Sequence, residues 1–204
     1  MGGDAKRLFE ATGMPDAEWW RVLWPDPDRV IADLGIQPGL SVIDIGCGDG
    51  YFLAAIARRI APARVLGIDL DEALLAVARK ACAGLRNCDF RLGDAMMLRA
   101  LIAAPVDCAV IANALHGARE PTALASEVGG VLKDDGLLAI INWQDKPREE
   151  TVVLGKPRGP RSDLRMGPET ARAVIEPAGF RMAAVVEFPP YHYGAIFRKR
   201  AISG

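Results

Sequence analysis

Asp44, Gly46, Gly48 and Gly50 stand together in the run Val42-Ile43-Asp44-Ile45-Gly46-Cys47-Gly48-Asp49-Gly50, where an apolar stretch gives way to glycines and then at once to a helical pattern. Glycines at such a point let the main chain turn tightly and approach a ligand with no Cβ in the way. The ligand then lies against the start of the following helix, where free N–H groups suit a phosphate or carboxylate. The details narrow the choice. A dinucleotide fingerprint wants its last small residue where Tyr51 stands, and a tyrosine there hinders close packing of helix on strand. No Gly-Lys-Ser/Thr follows, so the phosphate loop of nucleoside triphosphatases is absent. Asp44 interrupts an otherwise apolar strand end, and a buried carboxylate is costly unless something gives it hydrogen bonds or positive charge. An ammonium or sulfonium ligand above the glycines would supply that.

Two further acids belong with this turn. Asp69 stands at the tip of the second apolar run, where a carboxylate could take both hydroxyls of a ribose. Asp94, in Gly93-Asp94-Ala95 after the third run, could accept from an adenine amino group. Either acid could instead cap a helix. All three fall at the carboxyl ends of successive strands, the edge where open α/β sheets bind ligands. The loop Ala112-Asn113-Ala114-Leu115-His116-Gly117 follows the fourth strand, and His116 has the titration range of a general base. The plainer role for His116 is to cap that loop or to pack beside a ligand. The chain's other histidine, His192, alternates with Tyr191 and Tyr193, which points to surface or sheet-face packing.

These residues need a scaffold of alternating strands and helices. Strands are expected over 41–45, 64–68, 88–92, 106–112 and 137–143, and helices over 51–60, 71–82 and 121–132. Nearly continuous apolar strands separated by helices indicate a parallel sheet covered on both faces. The stretch 144–167, with three prolines and many charges, reads as a long loop, of the kind that is functional or disordered. A helix is expected from Pro168 to about Pro177. Strands over 180–188 and 191–198 then flank Pro189-Pro190, too short a link for a parallel crossover, so one final strand runs antiparallel. The expected fold is therefore α/β, a doubly wound seven-stranded mostly parallel sheet with an antiparallel last strand. Residues 1–35 form a helical cap segment or lid before a single domain over 36–204. That segment holds Phe9, Trp19, Trp20 and Trp24, which read equally as a lid over the cleft or as helix-face packing. Asp26-Pro27 starts one of its helices and Gly35 ends it.

The totals exclude some classes. With 204 residues, half hydrophobic and a quarter charged, the chain suits one buried domain. A formal charge of -1 gives no general attraction to nucleic acid or anionic membrane. No apolar run approaches the ~20 residues needed to span a bilayer, and residues 1–10 lack the apolar core of a secretory signal. Cys47, Cys82, Cys88 and Cys108 show no metal-ligand spacing and read as small buried thiols in a reducing cytoplasm. No metal site is expected. Lys156, Arg158, Arg161 and Arg165 outnumber Asp163 in one stretch, which reads as a solvated loop or, more sharply, as a site for an anionic substrate.

Together the glycine turn and the three acids resemble the class I S-adenosylmethionine (SAM) dependent methyltransferases. The resemblance covers Gly39 to Trp143, and the later order of helix and paired strands agrees through Arg198. It implies that Gly46, Gly48 and the backbone around them, including Cys47 and Gly50, hold the methionine part of SAM. It also implies that Asp44 lies near the amino group, Asp69 on the ribose, Asp94 and Ala95 on the adenine, and Leu70 flanking that ring. Asn113 and His116 resemble the Asn-x-Leu-His stretch of small-molecule members, with Asn113 beside the methionine portion. The implied activity is methyl transfer to an oxygen, nitrogen or carbon of a small-molecule acceptor, leaving S-adenosylhomocysteine (SAH), in the cytoplasm. Signatures of the DNA- and arginine-methylating subclasses are absent. A non-catalytic SAM-binding regulator and an NAD-linked oxidoreductase are the competing readings. A homodimer could form through an exposed aromatic N-terminus.

Overall fold

The computed structural model describes residues 12–201, so Phe9 and the rest of the expected cap before Thr12 lie outside the described residues. Two short helices come first, α1 (Ala17–Leu23) and α2 (Pro27–Asp33). Asp26 caps α2 by accepting from the Arg29 amide, Pro27 takes its first position, and Gly35 leaves it in the left-handed region. The alternating part then runs β1 (Val42–Ile45), α3 (Tyr51–Ile60), β2 (Val65–Asp69), α4 (Glu72–Ala81) and β3 (Cys88–Leu92). It continues through α5 (Leu98–Leu101), β4 (Val106–Ala112), α6 (Pro121–Val131) and β5 (Leu132–Trp143).

After β5 come a two-stranded hairpin, β6 (Val152–Val153) and β7 (Lys156–Pro157), and α7 (Pro168–Ile175). The last strands are β8 (Phe180–Phe188) and β9 (His192–Lys199). The main sheet has the order β3-β2-β1-β4-β5-β9-β8. β9 alone runs against its neighbours, inserted between β5 and β8.

Residues on one strand alternate between two cores, because successive side chains point to opposite faces. Val42, Val65, Cys108, Val110, Ala139 and Ile141 face α1, α2 and α3. Ile43, Ile45, Ala109, Ile111, Leu138 and Ile140 face α6 and α7. Helix–strand order and strand alternation thus agree with the sequence expectations. The short helix α5 has no counterpart in those expectations, and three further differences stand out. β5 starts at Leu132, because Leu132 still pairs with Val106 before the irregularity that precedes Cys108.

The second difference is 144–167, which is not structureless. It carries β6, β7 and single turns at Arg148–Glu150 and Ser162–Leu164. Its order rests on side chains reaching main-chain oxygens. The buried Arg165 guanidinium donates to the Thr151 hydroxyl at 2.8 Å and to the carbonyls of Arg158 and Pro160. Such contacts have no periodicity to betray them. Third, Trp19, Trp20 and Trp24 are buried: Trp19 packs edge-on against Trp20, Trp20 and Trp24 against Phe52 of α3, and Trp24 also against Phe188 of β8. The exposed aromatic face on which a homodimer would rest is therefore folded into the chain's own core. Among the described residues no helix is long and apolar enough to cross a membrane.

Candidate functional site

The sheet order reverses between β1 and β4, and a crevice opens there beyond the carboxyl ends of the strands. The loops after β1, β2, β3 and β4 line a cavity of about 530 Å³ at that point, a size in the range of small-molecule sites. Of the residues singled out in the sequence, Gly46, Gly48, Asp69, Leu70, Ala95, Asn113 and His116 line it, whereas Asp44, Cys47, Gly50 and Asp94 do not.

The turn itself is built as its glycines require. Gly46, Gly48 and Gly50 all have positive φ. The amides of Gly46 and Cys47 donate to the Ile68 carbonyl, and Gly48 donates to Asp69 Oδ2 at 2.8 Å. A Cβ on Gly50 would come 3.1 Å from Ala78 of α4, so this glycine serves helix packing rather than the cavity wall. Cys47 packs away from the cavity against Gly67 and Leu53. Met14, on the segment before α1, lies with its sulfur over Gly48, so residues 12–15 form one side of the cavity mouth.

Asp44 lies behind the turn with 1% of its surface exposed, and neither carboxylate oxygen has a hydrogen-bond partner. Burial, together with the neighbouring Asp69 carboxylate, pushes its pKa up to about 7. Asp69 is differently placed. Its two oxygens accept from the Gly48 and Asp71 amides, bracing the turn against β2, and the carboxylate still reaches the cavity. Each oxygen keeps a lone pair for a ligand hydroxyl. Asp94 instead caps the turn at Ala95–Met97, accepting from the Met96 amide at 2.7 Å. Leu70, 43% exposed, offers the cavity an apolar edge opposite Ala95.

Asn113 ends β4 with a φ of 54°, a conformation rare for a non-glycine residue. Its side-chain amide reaches no hydrogen-bond partner among the described residues, although its backbone N–H donates to the Ile141 carbonyl. Strain of this kind clusters at functional sites. His116 is buried beside it, with Nδ1 3.1 Å from Asn142 Oδ1. That oxygen also accepts from the Trp143 amide at 3.0 Å, which fixes it as an acceptor. Nδ1 of a neutral His116 must then carry the proton, and Nε2 the lone pair. His192 is not at the surface. It is stacked between Trp24 and Trp143, and burial, with Arg165 and His116 nearby, lowers its pKa well below the usual range. The cysteines are all free, and burial holds the thiols of Cys88 and Cys108 up at about 12.

The cavity also has walls that the motifs did not announce. Trp143, Arg148, Arg158, Gly159 and Pro160 come from the end of β5 and the segment after it, and Trp19 and Trp20 from α1. Asn142 carried a usable signal, being a lone amide within the apolar run of β5, as Asp44 is a lone acid in β1.

Known proteins share this arrangement. Residues 42–136 match the family described as a methyltransferase domain. A SAM-dependent methyltransferase from Aquifex aeolicus superposes with a TM-score of 0.76, at 25% identity, over 90% of this chain and 93% of that one. Residues 42–136 thus match a methyltransferase domain, and the whole chain has the fold of a SAM-dependent methyltransferase. A demethylmenaquinone methyltransferase from Staphylococcus aureus is 35% identical over 71 residues, 34% of this chain and 30% of that protein. An uncharacterized 37.1 kDa protein in transposon TN4556 of Streptomyces fradiae is 32% identical over 108 residues, 52% of this chain and 31% of that protein. The matched segment thus spans about a third of the length of these curated relatives.

The methyltransferases this chain resembles use SAM, and the residues present fit it. An unpaired buried carboxylate behind a glycine turn suits the cationic amino-acid end, and Asp69 suits a sugar diol.

Proposed function

We propose that this methyltransferase transfers a methyl group from SAM to a small-molecule acceptor, releasing SAH. The observation that carries this reading is Asp44, a buried carboxylate with no hydrogen-bond partner among the described residues, set behind the turn that faces the cavity. When bound, SAM supplies a sulfonium methyl open to in-line displacement. The protein's work is alignment and, for a hydroxyl or protonated amine acceptor, removal of a proton. Asp44 provides the countercharge for the ligand's ammonium through the turn, and Asp69 accepts from the ribose hydroxyls. Ala95 and Leu70 bound the adenine, with Asp94 holding that loop in shape. Asn113 presents its unpaired amide to the methionine end. His116 is the proton acceptor, because Asn142 orients the ring and leaves Nε2 with the lone pair.

The four free cysteines, none in a disulfide, support a working place in the reducing cytoplasm. Incubating the protein with isotopically labelled SAM and a metabolite library, read by mass spectrometry, tests transfer directly. A labelled product and SAH are expected. SAH binding without turnover on any acceptor would support a non-catalytic SAM-binding protein instead. Asp69→Ala is expected to weaken SAH binding by about 1–3 kcal/mol, the value of a hydrogen bond to a charged group.

A further inference from the structure

The acceptor side of the cavity is both aromatic and cationic. Trp19, Trp20 and Trp143 line it, and Arg148 and Arg158 reach it from the segment after β5. The Arg158 guanidinium lies 5.1 Å over the Trp19 ring, half-buried, and its Nε is a buried donor with no acceptor. Trp20 is also more than nine-tenths buried, and its indole N–H has no acceptor either. Arg148 spends its Nε on the Gly159 carbonyl, which aims the side chain along the same wall. Elsewhere on this segment Arg161 is neutralised by Asp163 at 2.6 Å. Among the described residues neither Arg148 nor Arg158 forms an ion pair with a carboxylate.

A buried guanidinium or indole N–H without an acceptor is costly. The ligand group that such arginines match best is an anion with planar, multiple acceptor oxygens. Trp19, Trp20 and Trp143 line the cavity beside these arginines, an aromatic wall that suits a flat ring. Gly159 belongs to the same design. It sits at positive φ against the Trp143 indole, where a Cβ would come 2.8 Å from the ring, so only glycine lets the segment lie this close to that part of the cavity wall.

Resting on the methyltransferase reading above, we infer that the methyl acceptor is a planar aromatic carboxylate. Its anionic group is held by Arg158 and Arg148, and its ring lies in the wall formed by Trp19, Trp20 and Trp143.

The test uses SAH-loaded protein and pairs of probes that differ only in charge. Hydroxybenzoates, aminobenzoates, indole carboxylates and quinoline carboxylates are each titrated beside their carboxamides, with binding followed by ligand-observed NMR. At least one carboxylate is expected to bind about tenfold or more tightly than its amide, the worth of one charge-assisted contact. Arg158→Gln and, independently, the exposed Arg148→Gln are expected to erode that preference, while Arg158→Lys retains part of it. SAH affinity should stay within roughly twofold in all three variants. The inference is overturned if no carboxylate outbinds its amide or if the preference survives both glutamine variants. It is also overturned if Arg158→Gln weakens SAH as much as the probe, which would assign the arginine to the cofactor's own carboxylate. Unsubstituted protein that fails to take SAH would overturn the methyltransferase reading itself, a distinct outcome.

Discussion

At the scale of the residue, Asp44 is a liability to the empty fold. Its pKa near 7 lies well above that of an exposed aspartate, with burial the main cause. An acid whose folded pKa is raised costs stability as pH rises. The cost begins above the unfolded value near 3.9 and is complete once pH passes about 7. Asp44→Asn is therefore expected to raise the stability of the ligand-free protein at pH 8 by about 1–3 kcal/mol, with little change at pH 4. Chemical denaturation at the two pH values checks this, and equal effects at both would contradict it.

Asp44 was legible in the sequence because a lone acid inside an apolar strand has few explanations. Asp94 was not. Its position at a strand end was clear, but whether a carboxylate caps its own loop or faces a ligand depends on a rotamer, and here it turns to the Met96 amide. His116 was visible as a residue type, while its tautomer came only with Asn142 and the Trp143 amide.

At the scale of the element, the glycine turn is held by its neighbours as much as by its own sequence. β1 is pinned to β4 at its start by Asp107, which accepts from the Ser41 amide at 2.8 Å and hydroxyl at 2.6 Å and pairs with Lys133. Desolvation works against the charge on Asp107, but the hydrogen bonds from Lys133 and Ser41 outweigh it and hold the pKa at about 2. Because that folded pKa is depressed, its contribution is present above about 3.9 and lost as pH falls toward 2. Asp107→Ala should cost about 1–2 kcal/mol at pH 7. Thermal melts would read it, and an unchanged midpoint would contradict it.

Elements were the most readable level. α3, β3, β4 and β8 fall where periodicity placed them, because apolar alternation and helix caps are local signals. The segment 144–167 escaped because its order comes from Arg165 and Thr151 bonding to main-chain oxygens, and no spacing rule encodes that.

At the scale of the whole molecule, the strand order brings four separate loops to one switch point, and two segments outside the alternating core complete the cavity. Residues 12–15 and α1 close one side, while the segment after β5 closes another. The sequence announced the loops that line the switch-point side of the cavity, since glycines and lone acids at strand ends are local signals. It did not announce the opposite wall, where Trp19, Arg148 and Arg158 meet only through tertiary packing. Because a ligand that binds only the folded state stabilises it by mass action, SAH at a hundredfold excess over its Kd should add about 2.7 kcal/mol of stability. A thermal shift that grows with SAH concentration is the expected sign, and a flat response would contradict it.

The role of Asp44 as countercharge for the cationic end of SAM is tested most directly by calorimetric titration with SAH across pH. Binding needs the ionised carboxylate, so affinity should fall as pH drops below 7, by up to about tenfold per unit. Protons should be released on binding near pH 6, seen as a dependence of the heat on buffer. Asp44→Asn should bind more weakly at pH 8 and lose that pH dependence. Two results would contradict the role: no binding of SAH at any pH, or an Asp44→Asn variant whose affinity and proton release match those of the unsubstituted protein.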